Sequence, residues 1–299
     1  MAINSNNSNG LLDAEFMSKL ERLDVVTRKI FIGRMKGERR SKRKGQSVEF
    51  ADYRNYVIGD DLRHLDWNIY GRLEKLFIKL FFEEEDLHVN ILFDASASMR
   101  FGKPEKFLYA RRVAAAIAYI GLVNYNRVSL TAFSDCYGPE MVGIRGRRLT
   151  HQMLKQLAGI EASGAGNFTA ACRQFALRHP QRSIVLLLSD FMDKAGYEEG
   201  MRYLIGRKYD LYAIQLLSPE EIDPSLNGDL QLVDMEDEDM ADVTVNRALI
   251  NRYKQNLHAY CKGLQEFCVR RGVTYMFAST EVPFDELVLT YLRQRGLLR

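Results

Sequence analysis

Apolar positions along the chain keep one rhythm at the start and another after residue 86. Leu12, Phe16, Leu20 and Leu23 recur at three- and four-residue spacing, which predicts an amphipathic helix over 11–32. A run dense in Phe, Ile and Leu predicts a strand over 76–82. From Leu87 onward short apolar runs alternate with longer helical patterns. Strands are expected over 88–93, 127–133, 183–188, 211–216 and 273–278. Helices are expected over 104–125, with Pro104 in the first turn, and over 149–157, 169–178, 197–208 and 246–271. Strands separated by helices of this length form βαβ units. The predicted fold class is therefore α/β, a doubly wound and mainly parallel sheet with helices on both faces.

Three stretches stand outside that alternation. Residues 1–10 are polar, rich in Asn and Ser, and read as a disordered leader. Residues 11–86 form an N-terminal extension of helix, loop and strand, and 87–299 the α/β domain. Within 229–245, Asp234, Glu236, Asp237, Glu238, Asp239 and Asp242 lie between apolar LQLV and VTV, which suggests an inserted β-hairpin with a solvated acidic tip.

Composition narrows the class. With 46% hydrophobic residues, 27% charged and only 6 Pro, the chain suits a folded globular protein. A net charge of +3 does not by itself imply nucleic acid, but 34–44 carries seven Lys or Arg against one Glu. The four cysteines, Cys136, Cys172, Cys261 and Cys268, are scattered without a CxxC pair, which argues against a disulfide scaffold or a zinc site. The N-terminus lacks the basic start and apolar run of a signal peptide, and no apolar stretch reaches the ~18–20 residues of a membrane span. A cytoplasmic protein is expected.

The most informative chemistry is Asp94-Ala95-Ser96-Ala97-Ser98, placed directly after the apolar run VNILF. Ligands of doubly wound sheets bind outside the carboxyl ends of strands. One carboxylate and two hydroxyls in a short loop are hard oxygen donors that suit Mg²⁺, with Mn²⁺ or Ca²⁺ equally admitted. Two later segments bring more oxygen to the same edge. Gly164-Ala165-Gly166-Asn167-Phe168-Thr169 ends in a hydroxyl at a helix start, and Ser189-Asp190 follows the apolar run SIVLLL. The alternative is that Ser96 and Ser98 cap turns and Thr169 caps its helix.

This order of residues resembles the von Willebrand factor A fold and its metal-ion-dependent adhesion site. The resemblance implies a metal held by Asp94, Ser96, Ser98, Thr169 and Asp190, with an open position that a partner's carboxylate fills. A second run, Ser41, Lys44-Gly45, Phe50, Tyr53-Arg54, Tyr56, Gly59-Asp60-Asp61, Arg63 and Asp66-Trp67, resembles the hallmark of the domain of unknown function 58 family. Taken together the resemblances cover most of 37–299. They imply a non-catalytic adaptor working with a MoxR-type AAA+ ATPase in chaperone-like assembly or activation of client proteins.

The residues of the second run admit two roles. Asp60, Asp61 and Asp66 with Arg54 and Arg63 could form an ion-paired turn anchored by Trp67, or the same six could dock a partner. Two other functions compete with the adaptor. The basic loop 34–44 could bind nucleic acid or another polyanion, with Tyr53 and Tyr56 nearby for stacking. A Mg²⁺-dependent phosphate-ester hydrolase is the remaining option. It finds little support: the five histidines show no HExxH spacing, there is no GxSxG, and no P-loop exists. No catalytic residue is assigned.

Overall fold

A computed structural model describes residues 11–26, 50–58, 60–81, 87–135, 137–207, 209–235 and 240–299. The leader 1–10, the basic run 34–44, Gly59, Cys136 and the acidic tip 236–239 lie outside them. The chain divides into two compact units, with residues 33–86 in the smaller. Among the described residues no helix is long and apolar enough to cross a membrane.

The larger unit is built on a six-stranded, mostly parallel sheet. After β1 (Phe50–Asn55) and β2 (Phe77–Phe81) of the smaller unit, its strands are β3 (His88–Asp94), β4 (Arg127–Phe133), β5 (Tyr137–Ile144), β6 (Ile184–Ser189), β7 (Asp210–Leu217) and β10 (Thr274–Ser279). They lie in the order β10-β7-β6-β3-β4-β5, and only β5 runs antiparallel, against β4. β6 and β7 are buried along their whole length, as central parallel strands covered on both faces must be.

Side chains alternate across the pleat between two cores. Val89, Ile91, Phe93, Leu186, Leu188 and Ile214 face α1 (Ala14–Leu20), α3 (Lys106–Val123), α4 (Thr150–Ala158) and the C-terminal residues Leu287, Val288 and Leu292. Leu92, Val185, Leu187, Leu211 and Ala213 face α5 (Phe168–Arg178), α6 (Glu198–Ile205) and α8 (Arg247–Arg270). α3 is apolar nearly all round because it is covered twice, by the sheet and by α1 with the C-terminal segment. α5 and α6 approach closely at Gly200, where a Cβ would lie 2.6 Å from the Phe168 ring and 3.3 Å from Thr169 Cα.

Most expected elements are present, with instructive differences. Of the helix expected over 11–32, the described residues 11–26 hold α1, capped by Asp13, whose carboxylate accepts the Phe16 N–H at 2.6 Å, while 27–32 lie outside the described residues. Beyond it Val25 pairs with Leu298, and Asp24 exchanges backbone hydrogen bonds with Arg299, so a distant strand-like contact overrides the local period. α1 thus belongs to the larger unit's core. Pro104 stands before α3 rather than in its first turn, since the helix begins after Glu105. β5 was not expected, because Gly, Pro and Glu interrupt its apolar pattern. The inserted hairpin is present as β8 (Gly228–Val233) and β9 (Met240–Val245), following the short α7 (Pro219–Ile222).

The smaller unit pairs β1 (Phe50–Asn55) antiparallel with β2 (Phe77–Phe81) and inserts α2 (Trp67–Leu73) between them. Trp67 is 66% exposed and is not the apolar anchor expected of it. It opens α2 and meets the Tyr70 ring edge-on at 6.2 Å. A tryptophan in the first turn of a seven-residue helix finds too little apolar surface here to bury against.

Candidate functional site

Two neighbouring strands end on carboxylates. β3 and β6 pair in parallel up to Phe93 and Leu188, so the residues that follow, Asp94 and Ser189-Asp190, emerge side by side at the carboxyl edge. Asp94 is buried. Its Oδ1 accepts the Ser96 N–H at 3.0 Å and its Oδ2 accepts the Ser189 hydroxyl at 2.7 Å. Ser96 Oγ and Ser98 Oγ lie 3.0 Å apart.

The loops around them are stitched to one another by backbone. Ala95 N–H donates to Phe133 O at 2.7 Å and Ala97 N–H to Gly164 O at 2.9 Å, while Ser163 N–H returns to Ala95 O at 2.8 Å. Asn167 N–H reaches Ser134 O at 2.9 Å, and its side chain caps α5 at Ala170. The 164–169 loop is therefore held against the Asp94 loop by peptide groups rather than by its own side chains.

Asp94, Ser96, Ser98 and Asp190 line one cavity, together with Gly166, Phe168, Ser189 and Asp193. Thr169, the fifth residue expected there, is not among the lining residues. It is half-buried as the second residue of α5, while its neighbours Gly166 and Phe168 take the wall. Three contributors were not singled out from sequence. Ser189 was passed over for Asp190. Asp193 accepts the Phe168 N–H at 2.8 Å, tying the β6 loop to the head of α5. Lys106 carried no signal at all, since a lysine opening a helix ordinarily points to solvent.

Lys106 is instead buried, 1% exposed, and its Nζ donates to Asp190 Oδ2 at 2.8 Å and to Glu221 Oε1 at 2.6 Å. Burial alone would push its pKa down, but the two carboxylates outweigh that and hold it above the ordinary value. Asp190 is anchored on its other side as well. Its Oδ1 accepts the Met192 N–H at 3.0 Å, and its carbonyl accepts Gln215 Nε2 at 3.0 Å. The following residue, Phe191, has φ 60°, unusual for a bulky residue, with its N–H on Ser189 Oγ and its carbonyl on the Tyr260 hydroxyl.

Asp94 has no such cation. Burial first, and then the Asp190 charge, push its carboxyl up to about 7, against the pull of hydrogen bonds from Ser189 and Ser96. A buried carboxylate with only neutral donors is a group that a bound cation would stabilise. The donors beside it are hydroxyls, and among the described residues no cluster of three or more His, Cys, Asp or Glu is placed to hold a metal. Hydroxyls with one or two carboxylates are donors that could hold a hard divalent ion keeping several waters.

The second candidate group is locally paired within the smaller unit. Arg54 meets Asp60 at 2.7 Å, and Asp60 also accepts the Val57 N–H at 2.9 Å. Arg63 meets Asp61 at 2.6 Å. Asp66 caps α2 through the Asn68 and Ile69 N–H groups, accepts the Tyr53 hydroxyl at 3.1 Å and pairs with Lys79 at 2.9 Å. Lys79 above all holds its carboxyl down at about 2, although burial opposes the shift. Each of these five charged residues thus stabilises a turn or a cap. Trp67, 66% exposed, is the one uncharged member of the group.

Comparison with known proteins gives one family and several distant likenesses. The model of a family described as "Protein of unknown function DUF58" matches residues 52–261. Uncharacterized proteins of Mycobacterium bovis and Mycobacterium tuberculosis are 26% identical over 242 residues, covering 79% of this chain and 76% of theirs. Among solved structures, the conserved hypothetical protein BatB from Bacteroides thetaiotaomicron is similar over 70% of this chain and 98% of its own, at 12% identity and a TM-score of 0.43. The pilus adhesin SpaC from Lactobacillus rhamnosus GG is similar over 73% of this chain and 32% of its own, at 10% identity and a TM-score of 0.46.

Proposed function

The chain belongs to the DUF58 family of proteins of unknown function, and from its oxygen-lined site we propose that it is a non-catalytic, divalent-metal-dependent adaptor of von Willebrand factor A type. One observation carries the reading. Asp94, Ser96, Ser98 and Asp190 come from two separate loops and meet at the carboxyl edge of the sheet, where α/β folds bind ligands. Helical layers on both faces of a mostly parallel sheet support the fold assignment.

In this reading Asp94, Ser96 and Ser98 hold Mg²⁺ or Mn²⁺, directly or through water, and Asp190 acts from a second layer. The bound ion supplies a Lewis-acidic position for a partner's carboxylate. The protein's own part is to fix the donors. Ser189 and the Ser96 amide orient Asp94, and the Gly164 carbonyl anchors the loop carrying both serines. A cytoplasmic setting is part of the proposal, and free Cys172, Cys261 and Cys268 support it.

The partner we propose is a MoxR-type AAA+ ATPase, with a client protein as the third member. The test is binding of the purified chain to a MoxR-type AAA+ ATPase of the same organism, in Mg²⁺ and then in EDTA. Binding that requires metal and is lost in Asp94→Ala supports the adaptor. Binding indifferent to both removes the metal bridge and turns attention to the exposed Trp67 surface.

A further inference from the structure

Asp94 and Asp190 stand at neighbouring strand ends but are not equivalent. Asp94 receives only neutral donors, the Ser96 amide and the Ser189 hydroxyl. Asp190 already has a cation on Oδ2, the Lys106 ammonium at 2.8 Å, and a peptide N–H on Oδ1. The ammonium is also held independently of the site. Its second partner, Glu221, is locked in the capping box of α7, where Oε2 accepts the Ser218 N–H at 2.7 Å and the Glu221 N–H donates to Ser218 Oγ at 3.2 Å. The Tyr253 hydroxyl donates to the Glu221 carbonyl at 2.9 Å.

The loop leading into Lys106 is clamped to the same turn. Lys103 N–H donates to Glu220 at 3.2 Å, and Gly102 packs so tightly on Ser218 that a Cβ would lie 2.2 Å from the serine Cβ. The backbone leading into Lys106 is thus fixed by the contact between the loops after β3 and β7, and the buried ammonium is held by Asp190 and Glu221. A buried ammonium with two carboxylates at hydrogen-bond distance is a fixed part of the structure.

We infer that Lys106 is a resident counter-cation that keeps Asp190 out of the inner coordination of a divalent ion and thereby sets both metal affinity and ligand preference. The inference rests on the metal reading above. With Lys106 on Oδ2 and the Met192 N–H on Oδ1, Asp190 has both oxygens engaged, and Asp94 would be the charged residue left to hold a divalent ion. The ion then keeps uncompensated positive charge, and an anionic group from outside is the natural ligand for its open position. A second inner carboxylate would hold the metal more tightly and the partner less so. Lys106 is a positioning residue here, acting through Asp190. It also lets the strand ends assemble without metal, by neutralising one of two adjacent carboxylates.

The test is calorimetric titration of the EDTA-treated, full-length chain with MnCl₂, beside thermal unfolding with and without Mn²⁺. Lys106→Met is expected to bind Mn²⁺ about 10-fold more tightly than the parent, to melt lower in EDTA, and to regain more stability when Mn²⁺ is added. Glu221→Gln keeps a side chain able to cap the turn and leaves the ammonium to Asp190 alone. It is expected to weaken Mn²⁺ binding several-fold, and it decides the matter if Lys106→Met fails to fold. Unchanged Mn²⁺ affinity in the folded variants, with the parent still binding, overturns the role of Lys106 and leaves the metal reading intact. Absence of Mn²⁺ binding in the parent and in both variants overturns the metal reading and this inference with it.

Discussion

Ser189 Oγ donates its hydrogen to Asp94 Oδ2 at 2.7 Å and itself accepts the Phe191 N–H at 2.9 Å. One side chain thus orients the site's buried carboxylate and supports a backbone held at positive φ. Ser189→Ala removes both partners from buried groups. The expected cost is about 1–3 kcal/mol of unfolding free energy, measured by urea denaturation at neutral pH. A loss below about 0.5 kcal/mol would mean that water replaces the hydroxyl at both contacts.

Asp94 separates the site's chemistry from its stability. Its carboxylate is buried beside the Asp190 charge without a cation of its own, so Asp94→Asn replaces a disfavoured charge by an isosteric amide. Mn²⁺ binding is expected to fall below detection in calorimetry, while the melting temperature in EDTA stays at or above the parent's. A marked fall in melting temperature would show that the Asp94 charge is needed for the fold itself.

Asp66 governs the acid response of the smaller unit. Its carboxyl, held at about 2 against an ordinary 3.8, favours the folded state wherever it is ionised in both states. That contribution is complete above the ordinary value and is lost as pH falls through about 4 toward about 2. Trp67, the chain's single tryptophan, sits next to it and reports the change by fluorescence. Asp66→Asn is expected to remove the transition between those values and to weaken the α2 cap already at neutral pH. An unaltered acid transition in the variant would assign it to other carboxylates.

Gly102 tests the clamp between the loops after β3 and β7. It has φ 94°, and an added Cβ would overlap Ser218. Gly102→Ala is expected to cost about 1–3 kcal/mol through overpacking and backbone strain, measured by denaturant unfolding. If Lys106 depends on the clamp, the same variant also shifts Mn²⁺ affinity toward that of Lys106→Met.

Much of the larger unit was legible in the residues alone, because each signal was local. Apolar runs such as IVLLL marked strands buried on both faces, helical spacing marked the layers between them, and Asp94-Ala95-Ser96-Ala97-Ser98 after VNILF marked a carboxyl edge. Chain order also put the hairpin β8–β9 ahead of α8. The tertiary structure decided what depends on partners far apart in sequence. α1 stops at Leu20 because Val25 pairs with Leu298, a contact that no local period encodes. β5 becomes an edge strand because β4 offers it a ladder, despite its Gly and Pro. Gly166 and Phe168 line the cavity wall in place of Thr169, where the Asn167 N–H is held on the Ser134 carbonyl and its side chain caps α5. Lys106 finds Asp190 and Glu221 at separations of 84 and 115 residues. Periodicity reports which face of an element is apolar, but the partner of a buried charge is settled only when distant loops are packed together.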